Sequence, residues 1–301
     1  MRVDLGKLTL KNPVMAASGT LGYGQELADF CDPALLGAVV VKGLTNNPWP
    51  GNPPPRIVET SAGMVNAIGL ENVGLDVFLR DKLPWLAERG VTVVANILGE
   101  TVEEYAVLAE KLADAEGVAM IEVNVSCPNV AAGGLAFGAN PEDTARVARA
   151  VVQAASQPVM VKLAPMVSDI VTVAQAAVEA GADVISLINT IPAMAVDLEN
   201  RRPALKNVVG GLSGPAIKPV ALRLVWAVAQ AVDVPVIGGG GIMTAEDALE
   251  FLLVGARAVQ IGTANFVDPR ATLKILRGME TYFQKNGIPD LSAWTGSLKI
   301  E

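Results

Sequence analysis

The chain has 301 residues, with 23 Lys and Arg against 31 Asp and Glu, a net charge of −8, and no histidine. The missing histidine excludes Ser-His-Asp and Cys-His nucleophile pairs and His-ligated zinc or haem, so acid–base work at neutral pH falls to Cys, Lys, Tyr, Asp or Glu. An apolar and aromatic share of 51% supports a large core, and an acidic balance with no basic run argues against nucleic acid and anionic membrane as partners.

Two cysteines, Cys31 and Cys127, are too few for a disulfide scaffold and fit a reduced, cytoplasmic protein. Residues 1–11 alternate polar and apolar positions without the apolar stretch of a signal peptide. No run of about 18 apolar residues occurs, so no membrane span is expected.

Along the chain one phrase recurs: a Gly or Pro, four or five apolar residues, then a polar one. In order these are residues 13–18 (PVMAAS), 37–43 (GAVVVKG), 90–96 (GVTVVAN), 117–124 (GVAMIEVN), 158–163 (PVMVKL), 181–189 (GADVISLIN), 235–241 (PVIGGGG) and 255–262 (GARAVQIG). Short, β-branched, unalternating runs suit strands of a parallel sheet buried on both faces. A leading Gly suits the C-cap of a preceding helix, and a leading Pro is tolerated at a strand start.

Helical spacing of apolar residues marks 102–115, 141–155, 168–180, 215–231 and 244–253. Pro141 and Pro215 fall where a first helical turn accepts proline, and Thr244 with Asp247 forms a capping pattern. Eight strands alternating with helices over this length predict an α/β protein, a (β/α)8 TIM barrel occupying residues 1–301 as a single domain. An open doubly wound sheet is the competing arrangement. The long intervals follow the second and sixth strands, and 126–140 is also loop-like. These insertions therefore crowd the C-terminal rim, where barrel enzymes keep their sites. The Pro- and Gly-rich stretch 46–55 reads as an exposed rim connection or a subunit contact.

The polar residues closing the strands are Ser18, Lys42, Asn96, Asn124, Lys162, Asn189, the glycines 238–241, and Gly262 with Thr263. Amides, ammonium groups and glycine backbone are a poor set for a divalent metal. Two lysines facing one barrel mouth call for an anion, and Glu122, on the strand face of Asn124, is the natural partner; a structural ion pair accounts for either lysine as well. The glycines after strands 7 and 8 stand where barrels cradle phosphate, although such runs also serve as flexible turns. Phosphate, lysine and amide together suit a flavin mononucleotide site, with lysine answering the charge that appears on reduction. Asn66, Asn124, Asn129 and Asn189 can read a flat ring of alternating C=O and N–H, whereas Asn72 and Asn200 read as turn formers. Cys127 stands just past strand 4. It is either a small buried hydrophobe, as read for Cys31, or a thiol with a reference pKa of about 8.5 able to take a proton from carbon. A Schiff-base barrel using Lys42 or Lys162 is a rival enzyme reading, and a non-catalytic flavin-binding subunit a rival of another class.

Long strings then match a known family: 12–20 (NPVMAASGT), 41–43 (VKG), 51–60 (GNPPPRIVET), 63–72 (GMVNAIGLEN), 124–129 (NVSCPN), 210–219 (GGLSGPAIKP) and 262–266 (GTANF). Nearly end to end, the chain resembles the catalytic subunits of class 1 dihydroorotate dehydrogenases, most closely the 1B branch. The resemblance implies FMN-dependent oxidation of dihydroorotate to orotate in pyrimidine synthesis, with Cys127 as the base and hydride passing from C6 to flavin N5. It implies that Lys42, Asn66, Ala67, Ile68, Gly69, Leu70, Asn124, Asn189 and Thr190 hold orotate. It implies that Ser18, Lys42, Gly43, Asn96, Asn124, Lys162, Ile188, Gly214, Gly240, Gly241, Gly262 and Thr263 hold one FMN. It further implies a homodimer joined by a partner subunit carrying FAD and a [2Fe-2S] cluster into a heterotetramer that passes electrons to NAD+. A fumarate-linked 1A-type enzyme remains the alternative. Three departures from the family pattern stand beside the site: Ala164-Pro165-Met166 after strand 5, Ala193 before Met194, and Gly239 in place of a common Met.

Overall fold

The apolar runs become strands because each is buried on both faces. In the computed structural model, which describes residues 1–125 and 137–300, they form β1 (Val14–Ala16), β2 (Ala38–Val40), β3 (Val93–Ile97), β4 (Val118–Asn124), β5 (Val159–Leu163), β6 (Val184–Leu187), β7 (Val236–Gly239) and β8 (Ala258–Ile261). All neighbouring pairs are parallel, and the ring closes through β8 against β1, giving a (β/α)8 barrel.

Helices α1 (Leu83–Glu88), α2 (Val102–Ala113), α3 (Pro141–Ala154), α4 (Ile170–Glu179), α5 (Lys218–Ala229) and α6 (Ala245–Leu253) alternate with these strands, and α7 (Ala264–Val267) and α8 (Ala271–Asn286) follow β8. Their inner faces and the strands' outward residues make one continuous core. Local chemistry sets the helix ends. The Thr101, Asn140 and Asp169 side chains accept from backbone N–H groups of the first turns of α2, α3 and α4. Thr244 and Asp247 form the expected reciprocal capping box of α6. Gly255 takes φ +118 where the chain leaves α6 for β8.

Three expected features differ. The stretch 215–231 begins as a 3-10 turn, Pro215–Ile217, and becomes α-helical only at Lys218. Pro219 has no N–H to donate back to Pro215, so the helix starts afresh there. Between β1 and β2 the only helical segment among the described residues is the 3-10 turn Pro33–Leu35. The long excursions after β2 and β6 are not simple loops either. They pair into a four-stranded antiparallel sheet, in the order Ile191–Met194, Val209–Ser213, Gly63–Asn66, Ile57–Thr60. Val65, Ala67 and Leu205 form a small apolar cluster of their own within this region. No helix of the described residues is long and apolar enough to cross a membrane.

Candidate active site

Strand register assembles the site from residues far apart in sequence. Asn96 on β3 stands beside Glu122 on β4, Asn124 beside Lys162 on β5, and Lys162 beside Ser186 on β6. Their contacts show that these side chains meet within the barrel. The carboxylate of Glu122 is fully buried and accepts from Asn96 Nδ2 at 2.6 Å, Gln260 Nε2 at 2.7 Å and Ser186 Oγ at 3.0 Å. Lys162 Nζ lies 3.9 Å from the same carboxylate and 3.5 Å from Gln260 Oε1. Glu122 thus faces Lys162, as its strand position predicts, but through a long contact.

Above this layer a cavity of about 240 Å³ opens at the rim. It gathers Ser18, Lys42, Gly43, Asn66, Ile68, Gly69, Leu70, Asn96, Asn124, Lys162, Ile188, Asn189, Thr190, Gly240, Gly241, Gly262 and Thr263, so most of the residues singled out from the sequence line one wall or another. Two do not. Ala67 packs its methyl into the small cluster of the rim sheet. Gly214 sits at φ +94 against Gly63, where a β-carbon would come within 2.6 Å of the Gly63 Cα. Cys127 and Asn129 lie outside the described residues.

Short-range bonds fix several of the lining groups. Tyr105 on α2 donates its hydroxyl to the Asn124 carbonyl at 2.8 Å. Asn189 Nδ2 donates to Asn124 Oδ1 at 3.4 Å, and Asn189 Oδ1 accepts from Thr190 N at 2.8 Å. Asn66 Nδ2 reaches the Gly211 carbonyl at 3.3 Å, which ties the two rim excursions together. Ser18 Oγ donates to the Val41 carbonyl at 2.8 Å, and Thr263 Oγ1 to Ser213 Oγ at 2.8 Å.

Sequence reading missed several lining residues, among them Gln260, Ser213, Gly211, Met64 and Phe266. Gln260 had a signal: it is a lone amide in an otherwise apolar strand, two residues before Gly262, and so on the same face. Of the departures from the family pattern, Gly239 lines the cavity, while Met166 is exposed and Ala193 packs at the rim sheet.

The donor set fits a flavin nucleotide in three respects. The lining carries no carboxylate among the described residues, and no three Cys, Asp or Glu side chains there group to hold a metal ion. At Gly240 a β-carbon would fall 2.9 Å from Ala221 Cβ, and at Gly241 2.7 Å from Lys218 N, whereas nothing lies nearer than 3.7 Å to one at Gly262. Packing thus excludes a side chain at Gly240 and Gly241, and with Gly262 they line the cavity with bare backbone at the ends of β7 and β8, as an anion cradle requires. Asn96 Oδ1 is buried and has no hydrogen-bond partner, an acceptor that a bound N–H would satisfy.

The sequence profile of the dihydroorotate dehydrogenase family matches residues 1–283. The catalytic subunit of dihydroorotate dehydrogenase B (NAD+) from Geotalea uraniireducens is 56% identical, over 99% of this chain and 98% of its own. Its counterpart from Geobacter sulfurreducens is 54% identical over 100% and 98%, and that from Thermoanaerobacter pseudethanolicus 52% identical over 100% and 99%. With a barrel of this architecture, a rim cavity of amides and lysines, and full-length identity above half, the chain belongs to the dihydroorotate dehydrogenase family.

Proposed function

We propose that this chain is the catalytic subunit of an NAD+-linked dihydroorotate dehydrogenase, oxidising dihydroorotate to orotate in pyrimidine biosynthesis in the cytoplasm with one bound FMN. The observation that carries this reading is one cavity lined by amides and lysines together with the glycine backbones that end β7 and β8.

Gly240, Gly241, Gly262 and Thr263 would hold the FMN phosphate, and Ser18, Gly43, Asn96, Lys162 and Ile188 would hold the rest of the nucleotide. Bound FMN supplies a two-electron acceptor for hydride from C6 of the substrate. Asn66, Asn124, Asn189 and Thr190 supply donors and acceptors that fix a flat ring of alternating C=O and N–H groups. Lys42, which lies beside Gly19 at the mouth, supplies positive charge for an anionic substrate. The thiolate of Cys127 takes the C5 proton, leaving the C5–C6 double bond of orotate.

Onward electron transfer needs another subunit. The curated relatives are themselves named catalytic subunits. Two cysteines cannot supply the four thiolates of an iron–sulfur cluster, so FAD and a [2Fe-2S] centre belong on a partner, in a heterotetramer built on a homodimer of this chain.

The test is anaerobic mixing of the purified protein with dihydroorotate, followed at the flavin absorbance. Rapid bleaching, with recovery on NAD+ only when the co-purified partner is present, is the expected result. Colourless protein, or flavin that dihydroorotate does not bleach, would overturn the assignment; recovery with fumarate alone would move the chain to a fumarate-linked branch.

A further inference from the structure

Glu122 has no place in the reaction as proposed, yet it is a buried carboxylate of the barrel interior to which four other strands turn a polar side chain. Asn96, Gln260 and Ser186 approach it at 2.6, 2.7 and 3.0 Å. All three are neutral donors, and they fill three of the roughly four acceptor sites of a carboxylate that is wholly buried: Asn96 serves Oε1, and Gln260 and Ser186 serve Oε2. Among the described residues, the one cation within 4 Å of that carboxylate is Lys162, kept at 3.9 Å, outside a close ion pair. Gln260 stands between them: its amide nitrogen serves Glu122 and its oxygen faces Lys162 Nζ at 3.5 Å.

A buried ammonium beside a buried carboxylate would ordinarily close to hydrogen-bond distance, since both are costly to leave unpaired. Here two amides and the Ser186 hydroxyl take up most of the carboxylate's acceptor positions. The charge of Lys162 is balanced across the pair, while its ammonium stays in the cavity wall, free to approach negative charge arising there.

We propose that Glu122 is a positioning residue that sets the electrostatic poise of the site: it neutralises Lys162 at a distance, so that the ammonium responds to the charge gained by the bound flavin on reduction rather than standing as a bare cation. This rests on the flavin reading above. A carboxylate that served only to fill the barrel would affect folding but not the relative binding of oxidised and reduced flavin.

The experiment is spectroelectrochemical titration of the flavin-loaded protein for wild type, Glu122→Gln, Lys162→Met and the double variant, with the dissociation constant of oxidised FMN measured alongside. Glu122→Gln leaves the ammonium unbalanced, so the midpoint moves positive by at least tenfold in the reduction equilibrium, about 30 mV for a two-electron couple. Lys162→Met moves it negative, and adding Glu122→Gln to that background moves it back toward wild type. The double variant also covers the case in which Glu122→Gln alone does not fold, because it buries neither charge. A midpoint for Glu122→Gln within twofold of wild type in that equilibrium overturns the proposal. So does a double variant indistinguishable from Lys162→Met, or failure of both Glu122 variants to fold. Wild-type protein that binds no flavin would instead sink the functional reading beneath it.

Discussion

Thr190 is packed directly on Gly211: a β-carbon at position 211 would lie 2.0 Å from Thr190 Oγ1 and 2.6 Å from its Cβ. The contact follows from the rim sheet, in which Pro192 is the register partner of Gly211 and Ile191 of Leu212. Gly211→Ala must therefore push Thr190 out of its place in the cavity wall. Overpacking of this kind costs about 1–3 kcal/mol. Because the glycine cradle of β7 and β8 is untouched, the variant keeps its flavin while the KM for dihydroorotate rises about tenfold, at about 1.4 kcal/mol per factor of ten. Steady-state kinetics beside a flavin-content assay checks this; an unchanged KM would remove Thr190 from the substrate contacts.

The barrel was readable because parallel strands buried on both faces leave unbroken apolar runs, and all eight runs became strands. The rim sheet was not. Ile57–Thr60 alternates half-buried and exposed residues, and its partner strands contain Pro192, Gly210 and Gly211, which in sequence look like turns. The glycines of 209–213 are needed for close approach of strands, a demand made by tertiary packing that no local pattern reveals. The helix Ala271–Asn286 escaped notice as well: its apolar stripe is diluted by Gly278 and by charged residues on its outer face. Within the site, strand ends pointed to the amides and lysines. Which group answers Lys162 could be guessed from Glu122 sharing the inward face of Asn124, but the three donors that Asn96, Ser186 and Gln260 bring to that carboxylate are a property of the closed ring.

The two cysteines are expected to separate by reactivity. Burial, and secondarily the charge of Asp32, push the Cys31 thiol up to about 11. At pH 8 only about one part in a thousand is thiolate, and the side chain is 1% exposed. Native alkylation with iodoacetamide at pH 8 is expected to modify Cys127 and spare Cys31, as peptide mass mapping reads out, and orotate is expected to slow that modification. Alkylation of Cys31 at a comparable rate would contradict the buried environment.

Removing the proposed base separates binding from chemistry. Cys127→Ala is expected to purify with its flavin, because the glycine cradle and Lys162 are intact, and to bind orotate. Bleaching by dihydroorotate should slow by ~10²-fold or more, the usual scale for a lost general base. Stopped-flow absorbance under anaerobic conditions measures this, and near-normal bleaching would take the proton-accepting role from Cys127.

Beneath the glycine cradle, Lys218 and Asp247 tie α5 to α6. Lys218 Nζ lies 2.6 Å from Asp247 Oδ1 and 2.9 Å from Glu250 Oε2, while Asp247 Oδ2 accepts from Met243 N at 2.8 Å and Thr244 N at 2.9 Å. Burial alone would raise the Asp247 carboxyl, but the Lys218 ammonium and the two backbone N–H groups outweigh it and hold the group below its ordinary 3.8. The Lys218 ammonium is raised above 10.5, first by its hydrogen bond to Asp247. A carboxyl lowered in the folded state contributes stability that is present above 3.8 and fades as pH falls through its lower folded value. An amine raised in the folded state contributes stability that is present below 10.5 and fades as pH rises through its higher folded value. The pair therefore stabilises fully between about pH 4 and pH 10. Asp247→Asn keeps the size of the side chain and loses its charge, so it should destabilise by about 1–2 kcal/mol at pH 7, the scale of a capping interaction with a charge-assisted bond. Thermal unfolding of wild type and variant at pH 7 and at pH 3 checks the sign: the gap should narrow at the acid end. Because a β-carbon at Gly241 would lie 2.7 Å from Lys218 N and 2.8 Å from its Cβ, the same variant should loosen the β7 end of the cradle and weaken FMN retention. A gap that stays constant with pH would mean that the Asp247 charge contributes nothing beyond its shape.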